Sequence, residues 1–445
     1  MTASERPAVL PAPWLLAFTA LSAAPVLRIG DVQLLEIAQL LSACAAAAWF
    51  ARAGFRARVP KPWREYGGLY AILLSTCAAG ALFALRLDFY PPPDTSALKE
   101  PLVLSIARLV ELALAMYAML AAASALQRDM RLLRLALDVY LALAAATAFA
   151  SILSWCLLEG GEISTPFVYG FDNRVRGLFN EGGPYGMFLV SAGVAAILRA
   201  RLGRVGQASA CGGLQSPCPP GRPEVGRRLK PAPLVAARLV LFAVALVLSG
   251  SKAGLLAAVL LSGIGAMSSA TRRQKAVLLF AGAAILTITA VLFQSKFLTY
   301  WLLYEHVEEA AAYHPGDPNY VMGRVTGALI VPRMVAAHPV GGVGLGNYSL
   351  MRNDPQYLQG LPPAEEWDLP GMGLLGDAAE LGGPLALFLF TVLLRPFWKA
   401  ARLSHPQSVA VAAAFQPVAL LLGVNLNFFY PWLMTAFALA SEPLT

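Results

Sequence analysis

The sequence predicts an all-α polytopic membrane protein of about twelve transmembrane helices, on the strength of composition, repeated apolar spans and the placement of basic residues. The 445 residues are 58% hydrophobic and 13% charged, with mean hydropathy +0.61. That is far from the balance of a water-soluble globular chain. Apolar stretches long enough to cross about 30 Å of hydrocarbon, about 20 residues each, recur from one end to the other. A single membrane anchor is excluded.

In order, spans are expected near 9–27, 33–51, 67–85, 103–126, 133–157, 183–198, 232–249, 253–270, 276–293, 376–394, 408–424 and 430–442. The polar centre of 232–270 leaves open a hairpin or two half-helices. The first span follows a short head containing Arg6. Removing it as a signal peptide would spoil the charge alternation, so it reads as a retained first helix.

Short cytoplasmic loops retain Lys and Arg. With the N-terminus inside, alternate loops carry Arg52, Arg56, Arg58, Lys61 and Arg64; Arg128, Arg131 and Arg134; and Arg199, Arg201, Arg204, Arg222, Arg227, Arg228 and Lys230. Arg272, Arg273 and Lys275 follow, then Arg395, Lys399 and Arg402. These are most of the 34 basic residues, and both termini fall inside. The net charge of +8 is thereby explained by topology and anionic lipid, with no nucleic acid required. Cys44, Cys77 and Cys156 lie in or beside spans and Cys211 and Cys218 in a cytoplasmic loop. A disulfide framework is not expected, and the last pair lacks the partners of a zinc site.

The whole chain, 1–445, reads as a single transmembrane domain with two long loops. The cytoplasmic one, 199–231, is rich in Gly, Pro, Arg and Ser and reads as a flexible linker. The extracytoplasmic one, 294–375, is ~80 residues long, far beyond an ordinary connection. It carries Trp301, Tyr304, Tyr313, Tyr320, Tyr348, Tyr357 and Trp367. Its segment 321–337 suits an interfacial helix that Pro332 would kink or interrupt.

Four polar segments fall on the extracytoplasmic side. The first, Arg174-Val175-Arg176-Gly177 through Asn180-Glu181-Gly182-Gly183-Pro184, sets two guanidiniums beside a helix start. It suits a phosphate or diphosphate, or equally lipid headgroups. In the second, Ser249-Gly250-Ser251-Lys252-Ala253-Gly254, a lysine between apolar runs either meets a partner anion or snorkels from a tight turn. The third runs from Arg324 through Arg333 to His338-Pro339-Val340-Gly341-Gly342-Val343-Gly344-Leu345-Gly346-Asn347-Tyr348. No strand-helix unit surrounds these glycines, so a dinucleotide site is excluded and close backbone approach is expected. His338 is a candidate proton acceptor, or a structural residue ending a helix. In the fourth, Asp377 and Glu380 stand at i, i+3 at the head of a span, where they complement the helix dipole or position an acceptor hydroxyl. Arg108, Glu111 and Asp138 read as structural, the first two neutralising each other with Asp138 as a neighbour.

The order of these segments, R-x-x-G with N-E-G-G-P, S-x-S-K-A-G, then H-P-x-x-G-x-G-x-G-N-Y and A-E-L-G, resembles the O-antigen polymerase and O-antigen ligase family. The resemblance is concentrated in 174–186, 249–254 and 324–383. It implies a GT-C-type glycosyltransferase of the bacterial inner membrane, acting at the periplasmic face on an undecaprenyl diphosphate-linked glycan, without metal, nucleotide sugar or other cofactor. The acceptor would be a lipid-linked glycan for a polymerase or lipid A-core for a ligase, with a chain-length regulator and a flippase as further partners. Arg174, Arg176, Lys252 and Arg324 would bind the diphosphate, with Ser251, Arg333, Asn347, Tyr348, Asp377 and Glu380 completing the substrate contacts. Two departures stand out. Lysine replaces the frequent arginine at 252, and Gly371-Met372 stands where ligases carry a His-Asn or similar pair. That favours polymerase over ligase. Any base would be His338, Glu181 or Asp377, or else deprotonation is late and solvent-assisted, and Arg324 is the further catalytic candidate. A transporter or flippase also suits twelve spans, but transporters usually show paired repeats and interrupted helices at mid-membrane.

Overall fold

The structure is a computed structural model describing residues 11–30, 32–52, 59–85, 100–157, 165–169, 174–212, 233–269, 324–361, 372–403 and 406–442, with a few isolated positions besides. At 84, 169, 203–212, 269 and 324–325 it describes the backbone alone. Helices dominate: α1 (Ala12–Leu21), α2 (Leu34–Arg52), α3 (Lys61–Ala84), α4 (Pro101–Arg128), α5 (Met130–Leu157), α6 (Gly182–Gly212), α7 (Pro233–Leu248) and α8 (Lys252–Ser269). They are followed by α9 (Arg324–Ala337), α10 (Tyr348–Met351), α11 (Pro355–Leu358), α12 (Leu374–Leu381), α13 (Gly383–Arg402), α14 (Gln407–Leu421) and α15 (Phe429–Ala440). Two antiparallel two-residue ladders complete it, β1 (Arg28–Ile29) with β2 (Val32–Gln33) and β3 (Val168–Tyr169) with β4 (Arg174–Val175).

Among the described residues six helices, α2 to α5, α13 and the first 21 residues of α6, are long and apolar enough to cross a membrane. Other apolar helices are shorter, 10–17 residues. All but two positions of the expected span at 276–293 lie outside the described residues, as do 294–323, the linker 213–232 and 364–371.

At the centre stand α15, buried at every residue, and the nearly as buried α14. Against α15 lies α4, whose run Ala121-Ala122-Ala123 is fully buried alongside Ala436, Ala438 and Ala440. Small side chains let helix backbones approach closely, and van der Waals contact is what holds helices together when the surroundings are themselves apolar. Leu40, Ile72, Leu82, Val240 and Val259 point outward instead, which lipid tolerates.

The spans expected at 232–249 and 253–270 are two helices joined by a turn at Gly250 (φ +61°), with α7 packed on α5 and α6 and α8 on α6 and α14. Other expectations change. The span expected at 376–394 is broken at Gly382, whose φ of +79° is not helical and separates α12 from α13; glycine is required there, since a Cβ would stand 2.6 Å from Pro339 O. The linker expected over 199–231 begins later, since α6 continues to Gly212. Pro332 leaves α9 unbroken from Arg324 to Ala337.

Asp138 is no neighbour of Arg108 and Glu111. Arg199 grips its carboxylate in a bidentate pair, Nε to Oδ1 at 3.0 Å and Nη2 to Oδ2 at 2.9 Å. The reason is helix direction: Arg108 is near the start of α4, Asp138 near the start of α5, and the two consecutive helices begin at opposite ends of the bundle. Asp138 shares its end with Arg134, which donates to Leu202 O (3.2 Å), and with Arg201, which donates to Ser408 Oγ (3.4 Å). Lys399 joins α13 to Glu65 (2.6 Å) and Glu442 (2.7 Å) at that end as well.

Candidate functional site

The other end of the bundle gathers the four polar segments. Val26 N–H, following α1, donates to Leu178 O in the first segment. Gly80 of α3 approaches Gly341, and Asn347 Nδ2 donates to Ser105 Oγ of α4 at 3.1 Å.

The first and second segments form one junction. Ser251 caps α8, its Oγ accepting from Gly254 N–H (3.0 Å) while its own hydroxyl donates to Gly183 O (3.0 Å). The N-termini of α6 and α8 thus meet, and only small residues fit between them. A Cβ at Gly182 would stand 2.5 Å from Ser249 O, and one at Gly186 would stand 2.3 Å from Ser251 Cβ. Arg174, exposed on β4, lies along Gly250, where an added Cβ would be 3.0 Å from its Cδ. Lys252 is exposed at the first position of α8, and Glu181 is exposed just before α6. Arg176 braces the loop instead, Nη2 donating to Thr165 O (2.8 Å) and Nη1 to Asn180 O (3.4 Å).

The third and fourth segments form a second assembly. Val343 N–H donates to Ala379 O and Gly344 N–H to Glu380 O, both at 2.9 Å, satisfying carbonyls at the end of α12. The close approach expected of the glycines is real: a Cβ on Gly342 (φ +59°) would fall 2.4 Å from Ala379 O. Gly346 lies against the Arg108 stem, which pairs with Glu111 at 2.7 Å. Tyr348 N–H donates to Glu380 Oε1 at 3.3 Å, and burial pushes the Tyr348 phenol up to about 12. Burial likewise raises the Glu380 carboxyl, against the N–H groups of Gly346 and Tyr348 and the charge of Arg108. Asp377 is raised well above the ordinary carboxyl range, first by burial and then by Glu380.

These groups border a cavity of about 150 Å³ lined by Arg108, Glu111, Tyr348, Asp377, Glu380 and the turn residues Asn425 and Asn427. Asn347 is 1% exposed, its Nδ2 serving Ser105 and Val343 O. Arg333 and His338 stand to one side, clamping α11. Arg333 Nη1 donates to Tyr357 O and Leu358 O at 2.7 Å each, and His338 Nε2 is hydrogen-bonded to Tyr357 Oη at 2.7 Å. Burial lowers the His338 pKa from its ordinary 6.5, with Asp354 opposing. Arg324 opens α9, and its side chain is outside the described residues.

One short turn connects the two assemblies. Asn425 and Asn427 line the cavity, while Phe428 and Tyr430 pack on Phe179 and Tyr430 Oη donates to Pro184 O at 3.3 Å. Sequence reading passed over this turn. Its signal was two asparagines, at i and i+2, between two apolar helices. It also gave Arg108 and Glu111 no part beyond mutual neutralisation, and passed over Arg352, 1% exposed beside Tyr348.

Fold and site together define a multi-pass membrane protein with polar motifs drawn to one end of a helical bundle. Residues 237–390 match the family model Wzy_C, O-antigen ligase, the family that the motif order resembles. The match takes in the second, third and fourth segments and leaves the first, Arg174 to Pro184, outside it. No curated protein matches the chain.

Proposed function

We propose that the protein is an inner-membrane glycosyltransferase that polymerises undecaprenyl diphosphate-linked oligosaccharide repeats, for O-antigen or exopolysaccharide, at the periplasmic face. The observation that carries this reading is the junction of Arg174, Gly250 and Lys252 over the paired N-termini of α6 and α8. Helix N-termini and cations together favour an anion, and a lysine at the first position of a helix is disfavoured by the dipole unless an anion offsets it. A departing diphosphate is such an anion, and stabilising the charge that develops on it is how the site would accelerate glycosyl transfer. Arg174 and Lys252 would contact it directly, with Arg176 and Ser251 holding the loops and Arg324 entering from α9.

The basic residues at the opposite end, among them Arg134, Arg199, Arg201 and Lys399, support an orientation with that end and both termini in the cytoplasm. Purified protein given undecaprenyl diphosphate-linked repeat units should build longer glycans on the lipid carrier. The ligase reading is favoured by the family description of the matched segment. Against it stands Gly371-Met372 in place of the His-Asn pair. Glycan appearing only on lipid A-core would establish the ligase and exclude the polymerase.

A further inference from the structure

Around the cavity, α4 supplies Arg108 and Glu111, α12 supplies Asp377 and Glu380, and the α14–α15 turn supplies Asn425 and Asn427. Most of these groups have structural work. Arg108 and Glu111 hold each other at 2.7 Å, and Glu380 accepts from Tyr348 N–H. Asp377 differs: it is 9% exposed, and its Oδ2, buried at the cavity, has no hydrogen-bond partner among the described residues. Asn427 Oδ1 lacks one too. A buried carboxyl oxygen without a partner is left with its desolvation cost unmet. A site that meets this cost is one where a ligand supplies the missing donor.

The lining also selects the ligand. Arg108, the one cation among the lining residues, is paired with Glu111, so the cavity has no cation to spare for a diphosphate. Two asparagines beside these charges offer donors and acceptors at short range, which suits the hydroxyl-bearing edge of a sugar. The two neighbouring places thereby differ in kind, cationic at Arg174 and Lys252 and carboxyl-rich at Asp377. They are close in space. Asn427 is three residues from Tyr430, at most about 11 Å of chain, and Tyr430 is bonded to Pro184 at the first place.

We propose that this cavity receives the attacking hydroxyl of the acceptor glycan and that Asp377 Oδ2 takes its proton. The inference rests on the reading of the chain as a glycosyltransferase. The acceptor oxygen forms a bond to the anomeric carbon as the bond from that carbon to the diphosphate oxygen breaks. The electron pair leaves with the diphosphate, and the hydroxyl proton passes to the Asp377 carboxylate. Among the described residues, the charged and titratable groups facing Asp377 are Glu380 on its own helix, Arg108 and Glu111 on α4, Tyr348 on α10 and Cys77 on α3. Burial raises the Asp377 carboxyl, and Glu380, a carboxyl one turn away, raises it further.

The test uses the full-length protein with undecaprenyl diphosphate-linked repeat units, and undecaprenyl diphosphate itself as the binding probe. Asp377→Asn should lower transfer by about 100-fold or more, the range of general-base catalysis, while binding of undecaprenyl diphosphate stays at the wild-type level. Glu380→Gln should move the acidic limb of the turnover profile to lower pH. Transfer by Asp377→Asn within about threefold of wild type would overturn the base and leave the glycosyltransferase reading intact. If Asp377→Asn fails to fold, an unmoved acidic limb in Glu380→Gln overturns it equally. Wild-type protein that transfers glycan to neither lipid-linked repeats nor lipid A-core would refute the glycosyltransferase reading and, with it, this assignment.

Discussion

At Gly186 an added methyl group would stand 2.3 Å from Ser251 Cβ and 2.6 Å from its Oγ, so the side chain most affected is the one that caps α8 and ties it to Gly183. Gly186→Ala should therefore cost about 1–3 kcal/mol by overpacking. It should also lower transfer by pushing the two helix N-termini apart, which a thermal midpoint and a transfer assay read together. Arg174→Ala should reduce transfer by roughly 100- to 1,000-fold if its guanidinium meets the developing charge. Arg174→Lys should recover part of it, because charge remains while the bidentate fork is lost. His338 has its proton affinity lowered by burial. Its contribution to stability is thus complete above pH 6.5 and lost as the pH falls through the lowered folded value. Thermal midpoints recorded down an acid series should fall less steeply in His338→Gln than in wild type.

At the scale of elements, α10 and α11 are too short to persist alone, since a helix nucleus is costly and four residues barely repay it. They are held from outside. Asp354 caps α11 through Gln356 N–H (2.8 Å), and Arg333 occupies the two carbonyls at its end. Arg333→Ala leaves those carbonyls short of a donor, a loss of about 1–3 kcal/mol. It should raise amide hydrogen exchange across 348–361 with little change in α4 or α15. The glycine segment works in the same way on α12. Its N–H groups end the helix and its missing side chains admit the Arg108 stem, so Asp377 and Glu380 are set by residues thirty to forty positions earlier in the chain.

For the whole molecule, the testable property is sidedness. A thiol at Glu181→Cys should react with a membrane-impermeant reagent added to spheroplasts, and one at Arg402→Cys only after permeabilisation. Both positions are exposed, at opposite ends of the bundle. The reverse pattern would invert the orientation and the periplasmic site with it. The packing that fixes the two ends is central: α14 and α15 are buried, and α4 and α6 are the most enclosed of the long helices. The turn between α14 and α15 therefore emerges in the middle of the bundle's end, where it can touch both assemblies.

Hydropathy and loop charge, which depend on local composition, were enough to assign the membrane class, to place the helices within a few residues at most of the expected spans and to pick out the four polar segments. The resemblance of the motifs is to the family whose model matches residues 237–390, with the first segment outside the match. What hydropathy and loop charge missed depends on neighbours distant in sequence. Only tertiary contact separates Asp138 from Arg108, turns Arg333 and His338 toward α11, and brings Asn427 beside Asp377. An unpartnered carboxylate oxygen cannot be recognised from its own residue. Its meaning comes from the donors that the folded chain fails to supply.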